Sequence, residues 1–232
     1  MKKRGKLTGL IYMVVIFMDD DESSWTTREI KDYYTDQIIP NCNFIEHQAR
    51  KYDQKVYLIS KLFQSNEKVH LKYKGKFDDN YYKRIDALEQ VANCLGYKNK
   101  NEFDAHIKEE VKGNQVIYMV ILNKKGSSVA YCDSVRRKED FIQHCICRNN
   151  YTNGSDKRFM GSFAHEILHL FGAEDYYKPE KIKQLATQLC PNDIMLQTHN
   201  YIAMNEINEY TAYCIGWLEK YPEQYKHADW FK

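Results

Sequence analysis

Apolar positions change their period several times along the chain, and each change predicts an element. Residues 7–18, LTGLIYMVVIFM, form a β-branched apolar run that stops at the acidic DDDES, and it reads as a buried first strand. Ser23 or Ser24 can cap the helix that follows. Its apolar positions Ile30, Tyr33 and Ile38, and past a break at Pro40 also Phe44, Ile45 and Tyr52, recur at helical spacing. KVYLISKLF (55–63) and KVHLKYK (68–74) predict strands; in the second, Val69, Leu71 and Tyr73 alternate with lysines and His70, which leaves His70 at the surface. In NYYKRIDALEQVANCLGY (80–97), Tyr82, Ile85, Leu88, Ala92 and Leu95 share a helical face with Gly96 as the stop, and a shorter helix covers Phe103 to Val111.

QVIYMVIL (115–122) is continuously apolar, the pattern of a central strand buried on both faces. GSSVAYC (126–132) then returns as an edge strand, and FIQHCIC (141–147) adds another before the polar loop RNNYTNGSD. Strand, helix, strands, helix, strands and a last helix describe one mixed αβ lobe. From about Tyr176 the chain reads as short and irregular until NEINEYTAYCIGWLEK (205–220). There Ile207, Tyr210, Cys214, Trp217 and Leu218 make a helical stripe that belongs to a core.

Composition narrows the function classes. The 232 residues, 43% of them hydrophobic, can bury one sizeable core or two lobes. Lys and Arg total 34 against 32 Asp and Glu, so the excess that would announce a nucleic-acid or membrane partner is absent. Seven cysteines with no CxxC pair suggest reduced thiols rather than a disulfide framework. Cys145 and Cys147 share a strand face with His144 just before them on the other, a spacing foreign to the usual zinc ligand patterns. MKKRGK and the apolar run have the outline of a signal peptide without a small-residue cleavage site, and the run is too short to span a membrane. An uncleaved first strand points to the cytoplasm, with secretion as the alternative.

The chemistry lies in HEILHLFGAEDYY (165–177). Residues four apart on a helix lie one turn above each other, so His165 and His169 present both imidazoles to one point, the bite of a metal ion. Glu166 is placed to take a proton from an attacking water. The alternative is a helix whose partly buried histidines pack with Ala164, Leu168 and Phe171, and a bare HExxH is short enough to arise by chance. Gly172, however, stands where the helix must stop and turn left-handed. Asp175, three residues on, can swing back as a third ligand and leave the fourth position open, the arrangement of a catalytic zinc site. Glu174 and His199 compete for that role. Tyr176 and Tyr177 could donate to an oxyanion, although in a chain with 19 tyrosines each is more often packing, and Asp193 would tie down its own turn.

HEILHLFGAED resembles the HExxHxxGxxD form of the metzincin zinc-protease motif, in which aspartate replaces the third histidine, as in snapalysins and immune inhibitor A type peptidases. CPNDIML places Met195 where such enzymes carry the methionine of a tight turn beneath the metal. Gln197 stands where some metzincins have a tyrosine that supports the transition state. The resemblance implies an α+β, metzincin-like fold in a single catalytic domain. An upper lobe of mixed sheet and helices (about 1–175) and a small helical or irregular lower lobe (about 176–232) would flank the active-site cleft. It also implies one Zn²⁺ held by His165, His169 and Asp175, with Glu166 as general base and Met195 as the floor. The function implied is zinc endopeptidase, acting as a monomer on an extended polypeptide that an edge strand such as SSVAYCDS could pair with. A catalytically idle binding module of the same fold, or a zinc hydrolase of a non-peptide amide, are the alternatives; an intact Glu166 argues against the first.

Overall fold

In the computed structural model, which describes residues 6–77, 87–132, 142–150, 161–199 and 201–225, the first apolar run forms strand β1 (Gly9–Met18). With β2 (Val56–Phe63), β3 (Gln115–Leu122), β4 (Val129–Tyr131) and β5 (His144–Arg148) it makes a five-stranded sheet of order β2-β1-β3-β5-β4. β1 runs parallel to β3, from Ile11 opposite Gln115 to Met18 opposite Leu122. β3 runs parallel to β5, and β4 returns antiparallel on β5. QVIYMVIL is thus central, apolar on both faces because both are covered, and Val129–Tyr131 is an edge. The sheet is mixed and the chain is α+β.

On one face of the sheet, Val14, Ile16 and Met18 of β1, Tyr118, Val120 and Leu122 of β3 and Ile146 of β5 are buried against α3 (Ala87–Cys94) and α4 (Lys100–Glu110). These helices contribute Leu88, Val91, Ala92, Phe103 and Ile107. Each Val, Leu, Ile, Phe or Met among them contributes roughly 1.5–3 kcal/mol when fully buried. On the other face Phe17 meets Trp25 and Tyr33 edge to face, with ring centroids 5.1 and 6.1 Å apart; Tyr33 closes α1 (Thr27–Tyr33). The described residues gather into two compact units. One holds the described parts of Met1–Gly9, Asp36–Tyr57 and Tyr151–Lys232, the other Leu10–Thr35 and Leu58–Asn150. Among the described residues no helix is long and apolar enough to cross a membrane.

Several elements differ from expectation for identifiable reasons. Thr26, not Ser23 or Ser24, caps α1, because only Thr26 has a glutamate three residues on: Glu29 N–H bonds Thr26 Oγ1 while the Glu29 carboxylate accepts from Thr26 N–H. Ser23 is already spent on Asp20. The break near Pro40 is a π-helical turn, Tyr34–Ile38, leading into α2 (Ile39–Arg50) with the proline in its first turn, where no N–H is missed. KVHLKYK buries Leu71 and Tyr73 and exposes His70 as its alternation requires, yet forms only the bridge Asp19–Lys72. There β1 has already turned away through Asp20, whose carboxylate accepts from Glu22 and Ser23 N–H. Tyr82 and Ile85 lie outside the described residues.

The segment after Tyr177 is not irregular throughout: Glu180–Leu189 forms α6, burying Ile182 and Ala186. Conversely, the stripe near the carboxyl end is a helix only over Glu209–Cys214 (α7), stopped by Gly216 at φ 82°. Its members Ile207, Tyr210, Cys214 and Trp217 are nonetheless buried and Leu218 is half-buried, so the stripe packs into the core as expected.

Candidate metal centre

The histidine segment forms α5 (Ser162–Leu170). Gly161 precedes it without a capping side chain, and one of the orphan donors of the first turn is met from α2 instead: Asn41, fully buried, accepts from Ala164 N–H at 2.9 Å. A Cβ at Gly161 would lie 3.3 Å from side-chain carbons of Ile194 and Thr198, so glycine there lets the helix start approach that loop. The helix ends in a Schellman pair, with Gly172 N–H on His169 O and Ala173 N–H on Leu168 O; Gly172 takes φ 109°. This reversal returns Asp175 to the two histidines.

The three side chains meet at one point. His165 Nε2 and His169 Nε2 lie 3.0 Å apart, and Asp175 Oδ1 is 3.1 Å from each. Among the described residues this is the only set of three His, Cys, Asp or Glu ligand atoms lying within 4.8 Å of one another. The far nitrogens are committed: His165 Nδ1 is 2.9 Å from Ile194 O and His169 Nδ1 is 2.8 Å from Ala173 O. A carbonyl oxygen only accepts, so each Nδ1 carries the hydrogen and each neutral ring turns a lone pair inward at Nε2. Two such nitrogens and a carboxylate oxygen at 3 Å repel unless a positive charge lies among them, either a metal ion or a proton.

For the proton, the effects oppose one another. Burial disfavours charged His165, but Asp175 and Glu166 beside it outweigh burial and raise its pKa. Burial likewise opposes ionised Asp175, and the two histidines outweigh it, holding the carboxyl well below the usual range. Glu166, 5% exposed, is raised chiefly by burial, the condition of a carboxylate ready to accept a proton.

Met195 is fully buried in a tight turn, where Leu196 N–H and Gln197 N–H both bond Asp193 O. The preceding residue supplies the carbonyl that orients His165, and Met195 O accepts from Tyr176 N–H at 2.9 Å. Of the two tyrosines, Tyr176 is fully buried with its hydroxyl 2.6 Å from Thr211 Oγ1, whereas Tyr177 is 40% exposed and its ring stacks beside His165 at 6.3 Å. Burial and neighbouring Asp175 raise the Tyr177 phenol, so it keeps its proton as a donor. Glu174 and His199 do not join the ligand set. Gln197 turns its amide onto Pro191 O. His144 bonds Ile142 O through Nδ1 and stacks on Tyr131, and all seven cysteines are free thiols.

Asn41 and the carbonyls of Ala173 and Ile194 were not foreseen. Asn41 lies 123 positions before its partner, and a carbonyl has no signature in the sequence. Compared with known proteins, the chain matches no family model and no curated sequence.

Proposed function

We propose that the chain is a zinc-dependent endopeptidase of metzincin-like build, with His165, His169 and Asp175 as ligands. The observation that carries the reading is the convergence of two Nε2 lone pairs and one carboxylate oxygen at 3.0–3.1 Å, with both Nδ1 hydrogens bound to backbone carbonyls. Tetrahedral zinc with bonds of about 2.0–2.1 Å wants ligand atoms about 3.3–3.4 Å apart, so the donor set fits with small adjustment. Nδ1–H on a carbonyl is the usual support of a ligating histidine. Two histidines and one carboxylate leave a position open, as in catalytic rather than structural sites.

Zinc held there supplies a Lewis acid that polarises the scissile carbonyl and acidifies the attacking water. The remaining work falls to the chain. Glu166, raised by burial, takes the proton of the water and delivers it to the leaving amine. Tyr177, protonated and beside His165, donates to the oxygen on which negative charge develops. Buried Met195 serves as an apolar floor.

Incubation with a mixed-sequence peptide library tests the reading. Internal cleavage that a chelator abolishes and added zinc restores is expected. Zinc binding with no peptide cleaved would leave an idle module or a hydrolase of other amides.

A further inference from the structure

The buried carboxylate Asp193 takes part in no step above, yet its hydrogen bonds reach both sides of the candidate centre. It is 1% exposed. Its Oδ1 accepts from Met195 N–H at 2.7 Å, and its Oδ2 accepts from Asn208 N–H and Thr211 Oγ1, each at 2.9 Å.

The direction of the next bond follows from counting hydrogens. Thr211 has one hydroxyl hydrogen, and it is given to the carboxylate, which can only accept. The Tyr176 hydroxyl, 2.6 Å from Thr211 Oγ1, must therefore donate. A directed chain, Tyr176 to Thr211 to Asp193, fixes the residue that directly follows Asp175. From the other oxygen, Met195 N–H fixes the turn whose neighbouring carbonyl, Ile194 O, accepts from His165 Nδ1. Tyr176 N–H on Met195 O joins the two branches.

We propose that Asp193 is a positioning residue that, through Met195 on one side and Thr211 and Tyr176 on the other, sets the placement of His165 and Asp175 for metal binding. The proposal rests on the zinc reading above. Alanine at 193 removes both side-chain acceptors; asparagine keeps one oxygen but turns an amide N–H toward the donors on the other side, so neither replacement holds both sides. The hydroxyl pair is the cleaner probe, since Tyr176→Phe and Thr211→Val cut only the Tyr176 branch while Thr211→Ser restores it.

The test measures zinc affinity of the full chain by competition with a chromophoric chelator, the visible spectrum of the cobalt(II)-loaded protein, and denaturant unfolding of the metal-free protein. Wild-type titration comes first: no zinc bound by a folded wild type defeats the metal reading itself. Given wild-type binding, Tyr176→Phe and Thr211→Val should weaken zinc about tenfold to a hundredfold and shift the cobalt bands. Thr211→Ser should retain affinity and spectrum. Wild-type affinity and cobalt bands in folded Tyr176→Phe and Thr211→Val, even with lowered metal-free stability, would reduce the network to a structural one and overturn the proposal. Should Thr211→Val fail to fold, Tyr176→Phe decides alone.

Discussion

Two segments concentrate metal-ligating residue types, and the structure uses them in opposite ways. β5 carries His144, Cys145 and Cys147 within five residues, all buried; α5 carries His165 and His169. Each of these histidines fixes Nδ1 on a backbone carbonyl at 2.8–2.9 Å. The difference is the period of the element. A strand sends successive side chains to opposite faces, so His144 faces away from the two thiols and ends stacked on Tyr131 at 5.0 Å. A helix brings every fourth side chain back to one line, so the two Nε2 atoms meet, and the Gly172 turn adds Asp175. The geometry of the element, rather than the density of ligand types, brings the three groups together.

The largest effect should come from removing that convergence. His165→Ala or His169→Ala should abolish tight zinc binding, because two remaining ligands cannot hold the ion against water, whereas His144→Phe should leave zinc untouched. The latter keeps the stacking on Tyr131 and loses the hydrogen bond to Ile142 O, a loss of about 1 kcal/mol in urea unfolding. Elemental analysis after dialysis reads the contrast. Full zinc in the double alanine variant would erase it.

Next in size, Glu166→Gln should retain zinc and lower kcat/KM by about 10²–10⁴-fold, since an amide keeps the shape but cannot accept the proton. Wild-type turnover in this variant would remove Glu166 from the mechanism and leave α5 with a metal site alone.

How far the sequence revealed this depends on what each feature rests on. The central strand, the edge strand and the histidine helix follow from local period, and HExxHxxGxxD was readable because each spacing corresponds to one turn of helix or to a glycine reversal. The strand expected at KVHLKYK failed because pairing depends on where β1 turns, which Asp20 decides. α6 was missed although Ile182, Leu185, Ala186 and Leu189 recur at helical spacing; the signal was present but short. Asn41, the two orienting carbonyls and the different surroundings of Tyr176 and Tyr177 depend on chain segments meeting in space. Adjacent tyrosines look alike in sequence, yet one is fully buried on Thr211 and the other lies half-open beside His165.

That last difference can be sharpened by kinetics. Tyr177→Phe should lower kcat by about 10²-fold, the size expected for one oxyanion donor, with KM little changed and zinc retained. A fall in zinc affinity with kcat preserved would instead assign Tyr177 to packing around His165.

The smallest effect tests whether Met195, the proposed floor of the candidate centre, is as passive as the buried sulfurs of the strand. Cys145 and Cys147 serve β5 as small apolar residues, fully covered. Met195 is covered as completely, but its backbone takes part in the site: its N–H is held by Asp193 and its carbonyl holds Tyr176 N–H. The side chain can therefore change while those bonds persist. Met195→Leu, close in volume but branched, should cost under about 1.5 kcal/mol in denaturant unfolding of the metal-free protein, with zinc affinity unchanged. If the folded variant lost zinc, the thioether would be needed for more than filling space, and the likeness to the strand cysteines would fail at the sulfur that follows the carbonyl orienting His165.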